Sequence, residues 1–140
     1  MTAKTLDEAI SRNHAALDRM VNGDCGGYVA LLSERDDVSW GNPFGPFVRG
    51  REDVETTLAS AAVRMGGGRA ADFDRVATYM SDELAVVVEV EHAMRGAADA
   101  LTPVALRVTS VFRLEGDAWR LVHRHADPIT GPAPAVERDE

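Results

Sequence analysis

The runs Leu106-Arg107-Val108-Thr109-Ser110-Val111-Phe112-Arg113 and Ala118-Trp119-Arg120-Leu121-Val122-His123-Arg124-His125-Ala126-Asp127 are joined across the polar residues Glu115-Gly116-Asp117. Side chains on a strand alternate between two faces, so Leu106, Val108, Ser110 and Phe112 share one side of the first run and Arg107, Thr109, Val111 and Arg113 the other. The connection has hairpin length, which predicts antiparallel pairing. In the second run the same period groups Trp119, Leu121, His123 and His125 against Arg120, Val122 and Arg124.

Working outward, strands are expected over 71–80, 83–95, 103–114 and 118–125, with Ser81-Asp82 as a second hairpin connection and a looser passage from Gly96 to Thr102. Within 83–95, Ala85, Val87, Glu89 and Glu91 share a face, which stands two carboxylates side by side. Upstream the period changes to that of a helix. Thr5-Leu6-Asp7-Glu8 has the form of a capping box, and Leu6, Ile10, Leu17, Met20 and Val21 fall near one stripe of a helix over 5–21. Asp24 is the expected cap of a shorter helix through Tyr28, Leu31 and Leu32. A short strand is expected at Val38-Ser39-Trp40, and then a loop, because Pro43, Pro46, Gly41 and Gly45 break regular structure. A third helix carries Val54, Leu58, Ala61, Ala62 and Met65 and stops at Gly66-Gly67-Gly68.

Helices that precede an antiparallel sheet make the class α+β, with the helices packed on one face of the sheet around a conical cavity. Residues 1–128 are read as one domain and 129–140 as an extended or disordered tail. The chain of 140 residues, 45% hydrophobic and 27% charged, suits one core. Its net charge of -8 argues against nucleic acid as a partner. One cysteine, Cys25, and a charged first helix place the chain in the cytoplasm, and no apolar run approaches the length of a membrane helix. Cys25 reads as a small buried hydrophobe and His14 as a solvated helix residue. Dinucleotide, phosphate-loop, hydrolase-elbow and zincin motifs are missing from the sequence, so neither a cofactor nor a metal is expected.

The candidate catalytic residues are His125, His123, Asp127, Arg107 and Glu91. Imidazole titrates nearest neutrality, and a glutamate and an arginine on adjoining strands could orient it and stabilise developing charge. The same residues could instead form a paired network that fixes strand register, or, with both histidines and a carboxylate, hold a metal. Asp127 is a pocket-rim carboxylate or a turn residue before Pro128. The ligand-facing candidates are Trp40, Asn42, Phe44, Phe47, Thr109 and Trp119. Trp40 reads equally as core.

The element order, Ser39-Trp40-Gly41-Asn42-Pro43 and above all the two closing runs resemble the SnoaL-like branch of the NTF2-like superfamily, across about residues 5–128. The resemblance implies a curved sheet wrapped around a cone and a homodimer formed through the sheet's outer face. It also implies a small hydrophobic partner, with isomerase, cyclase or lyase chemistry of the ketosteroid isomerase or polyketide cyclase type on a carbonyl compound, His125 or Asp127 supplying the acid/base. Non-catalytic binding or dimerisation is the alternative, since the isomerase's aspartate and tyrosine pattern is not matched around Tyr28 or Tyr79. Apolar residues on both faces of 103–114 also point to a dimer.

Overall fold

The computed structural model describes residues 2–43, 45–96 and 100–130; Phe44 and the tail 131–140, for which expectations were stated, lie outside the described residues. Helix α1 (Leu6–Met20) starts at Thr5, whose hydroxyl accepts from the Glu8 amide at 3.1 Å. The other half of the capping box is displaced by one residue, because the Glu8 carboxylate accepts from the Lys4 amide, not from Thr5. Helix α2 (Gly26–Leu31) has Cys25 at its N-cap, so Asp24 is not the cap, although its carboxylate holds the Gly26 amide at 2.8 Å. Glycine at position 27 is a packing requirement: a Cβ there would stand 2.9 Å from the Ala16 Cα of α1.

Strands β1 (Ser39–Gly41) and β2 (Val48–Arg49) precede helix α3 (Arg51–Met65). The sequence reading contained no β2, whose two residues are too few to show a period. The long strands follow as β3 (Arg69–Met80), β4 (Leu84–Arg95), β5 (Thr102–Glu115) and β6 (Ala118–Pro128). The sheet order is β2-β1-β6-β5-β4-β3, antiparallel except where β1 runs parallel to β6. The three helices cover its concave face. Leu17, Val21, Leu58, Val87, Phe112 and Leu121 are buried there to within about one per cent of full coverage, and burial of such side chains supplies roughly 1.5–3 kcal/mol each.

Two irregularities matter. Strand β3, at the sheet edge, breaks register between Ala70 and Phe73 and again between Arg75 and Ala77. In β6, Val111 faces His123 while Phe112 faces Leu121, so Val122 is an extra residue without a cross-strand partner, a β-bulge. Before Val122 the odd-numbered Leu121 points inward; after it, Arg124 and Ala126 do. No helix is long and apolar enough to cross a membrane among the described residues.

Candidate functional site

The bulge at Val122 decides which residues of β6 reach the concave face. A regular strand would have turned His123 and His125 into the cone. The extra residue reverses the alternation, so Arg124 enters and is buried, while His125 is exposed and His123 lies half-buried on the outer face. Arg107 and Asp127, opposite each other in register, are also outside and form an ion pair in solvent. Of the five catalytic candidates, only Glu91 faces inward. The expected cluster of two histidines, Arg107 and Glu91 in one cavity is therefore not formed.

In its place, Arg124 Nη1 and Nη2 donate to Glu91 Oε1 and Oε2 at 3.0 Å each. This bidentate geometry matches guanidinium to carboxylate. Burial works against the Arg124 charge, but the Glu91 charge and hydrogen bonds more than offset it and hold its pKa above the ordinary value. The guanidinium carbon also lies 5.8 Å from the Tyr28 ring centre and 6.0 Å from that of Trp40, and these two rings meet edge to face at 5.2 Å. Trp40 is placed beside Arg124 by the parallel β1–β6 pairing.

Above this cluster a narrow cavity of about 30 Å³ remains, room for roughly one or two waters. Its apolar wall includes Leu17, Met20, Trp40, Met65 and Leu106, and its polar wall Tyr28, Asn42, Arg95 and Arg124. Among the described residues no Asp, Glu or His lines it. The Tyr28 hydroxyl is buried without a hydrogen-bond partner among the described residues, as are Asn13 Oδ1 and Ser110 Oγ. Burial pushes the Tyr28 pKa up, and the opposing Arg124 charge does not cancel the effect, so the phenol keeps its proton. Burial also depresses the Arg95 pKa, against the pull of Glu91.

Of the ligand-facing candidates, Trp40 and Asn42 line the cavity. Thr109 faces outward across from His125, and Trp119 is core near the amino terminus, its amide bonded to the Ala3 carbonyl. Phe47 packs on the outer face against His123 and His125, with its ring so close to Gly41 that a Cβ there would meet it at 2.3 Å. Burial and the neighbouring His125 lower the His123 pKa, Ser39 pulling the other way; Ser39 Oγ and His123 Nδ1 share a 2.7 Å hydrogen bond.

Sequence reasoning missed Arg124 because the alternation rule assumes an uninterrupted strand, and Tyr28 because a tyrosine on a six-residue helix carries no period. His14 was misread as solvated. Its Nε2 is 2.9 Å from both oxygens of Glu89, Arg75 Nε lies 3.2 Å from the same carboxylate, and the imidazole stacks on Phe73 at 3.7 Å. Burial opposes the Glu89 charge, but His14 and Arg75 outweigh it and hold the carboxyl below its ordinary value. The signal for His14 was its place one residue after Asn13, at the margin of the buried stripe.

Residues 10–129 match the SnoaL-like domain family. The fold is similar to a solved structure named as a calcium/calmodulin-dependent protein kinase type II association domain, from Thiobacillus denitrificans, at 24% identity and TM-score 0.78, covering 93% of this chain and 99% of that one. It is similar to one named as a dehydratase of the NTF2-like family, from Streptomyces avermitilis, at 22% identity and TM-score 0.69, covering 90% and 94%. A ketosteroid isomerase-like protein from Erwinia carotovora aligns at 15% identity and TM-score 0.73, covering 90% and 95%. No curated protein matches the sequence.

Two outcomes are expected in denaturant unfolding. Arg124→Met strands the Glu91 carboxylate and lowers stability by about 3–5 kcal/mol, and adding Glu91→Leu restores most of it; a single variant as stable as the parent contradicts the pair's role. Because the Glu89 pKa is depressed on folding, its stabilisation is complete above the ordinary value of 4.5 and drains away as pH falls below it. Glu89→Gln therefore flattens the acid limb of the stability profile, and an unchanged limb counts against the assignment.

Proposed function

The chain belongs to the SnoaL-like domain family, and on that premise we propose that it is a small-molecule-binding protein whose cone receives a hydrophobic, carbonyl-bearing compound. The observation that carries this reading is the Tyr28 hydroxyl, a protonated donor buried in a mostly apolar wall without a partner among the described residues. Leaving such a group unpaired costs roughly 1–3 kcal/mol, which a ligand acceptor would recover. Tyr28, Arg95 and Arg124 offer donors, and the apolar wall favours a body without charge. Trp40 and Asn42 complete the contact set.

Binding is favoured over acid/base turnover because the lining contains no carboxylate or imidazole among the described residues, and Glu91 is engaged behind Arg124. Titration calorimetry with acetophenone tests the reading, the cavity of about 30 Å³ having to widen around the ring as it binds. Binding is expected, and Tyr28→Phe weakens it about tenfold, the loss of one hydrogen bond, without lowering stability. His125→Gln leaves it unchanged. Absence of binding, or indifference to Tyr28→Phe, overturns the assignment.

A second reading, self-association through the outer sheet face, is supported by a specific surface. Tyr79, Val86, Val111 and His123 form one cross-strand row, and Ala77, Val88, Thr109 and His125 the next. Tyr79 is 64% exposed and Phe47 61%, more than a lone exposed apolar residue explains. The association-domain name of the Thiobacillus denitrificans structure is consistent with it. Sedimentation equilibrium should give twice the chain mass, and Val88→Lys should return the monomer; a monomeric parent at micromolar concentration contradicts a dimer.

A further inference from the structure

The polar wall of the cone's cavity is built mainly from hydrogen-bond donors. Tyr28, Arg95 and Arg124 line it, with Asn42 as the fourth polar residue. A guanidinium carries five N–H groups and no acceptor. On Arg124, Glu91 takes one N–H of each terminal nitrogen, and the other three have no hydrogen-bond partner among the described residues. The buried Tyr28 hydroxyl, which keeps its proton, likewise has none. Two lining residues thus hold one O–H and three N–H groups that lack acceptors.

That surplus decides the class of ligand. A ketone offers one oxygen with two lone pairs, whereas an ionised carboxylate offers two oxygens with about four acceptor sites and no donor to oppose the wall. Charge points the same way. Glu91 is the counter-ion of Arg124 and also favours the Arg95 cation, which burial opposes, so one carboxylate acts on both arginines. No Asp or Glu lines the cavity among the described residues, so an anion held there adds acceptors where the wall has none. The volume agrees as well: about 30 Å³, room for one or two waters, accommodates the two oxygens of a carboxylate, beside an apolar wall that includes Leu17, Met20 and Leu106. We propose that the ligand of the cone is a hydrophobic carboxylate, its two oxygens held by Tyr28 and Arg124 with Arg95 as the second cation. This rests on the binding reading above and names the polar end of its ligand.

The test is titration calorimetry of benzoate against acetophenone, which share the ring and differ in the head group, so that widening of the cavity is common to both. In the parent protein at neutral pH, benzoate is expected to bind about tenfold more tightly, equivalent to about 1.4 kcal/mol. The Glu91→Leu/Arg124→Met double variant, which strands no buried ion, and Arg95→Gln should each bring the ratio of the two affinities down towards one. Circular dichroism checks that both variants are folded. Acetophenone binding as tightly as benzoate, or a preference for benzoate that survives both variants, overturns the carboxylate assignment while the cone reading stands. Benzoate binding without acetophenone binding, lost in the variants, supports the carboxylate head and removes the ketone reading. Binding of neither compound overturns both.

Discussion

The Glu91–Arg124 pair sits in the cone where the sheet, α2 and β1 converge, and its placement depends on one unpaired residue, Val122. Two ions taken out of water are tolerated only when geometry and further contacts compensate for lost hydration. Here the compensation comes from a bidentate bond and from the flanking rings of Tyr28 and Trp40. The pair therefore constrains three elements at once. β4 must bring Glu91 inward, β6 must change its alternation before Arg124, and β1 must run parallel to β6 so that Trp40 stands beside the guanidinium.

The same bulge separates two chemistries. Inside are donors and apolar walls; outside are the histidines, the Arg107–Asp127 pair and a broad apolar band. Assigned to one face, these residues resemble a proton-transfer centre. Divided between faces, they form a buried cone and an exposed outer sheet face, and the histidines belong to the second.

Most of the architecture was legible because long amphipathic segments repeat their signal. The stripe of α1 and the alternation of β4 recur over enough residues to fix element and period, which is why Glu89 and Glu91 were placed together on one face, the face that is buried. The site was less legible for a physical reason. Nothing in Leu121-Val122-His123 marks a bulge: Val122 is an ordinary strand residue, and its lack of a partner is a property of two strands, not one. Tyr28 was hidden in the same way, since its role comes from α2 lying across Trp40 and Arg124, a contact across nearly a hundred residues of chain. His14 was missed because its partner Glu89 lies on another element altogether.

The interrupted register of β3 has a consequence for the molecule in a crowded solution. A long straight strand at a sheet margin presents a ladder of amides and carbonyls on which another chain can pair. β3 has twelve residues, long enough to act as such a template. Its two breaks, with Asp72, Asp74 and Arg75 exposed near them, cut the margin into short, twisted, charged pieces. Open-ended pairing of chains through this margin is thereby disfavoured.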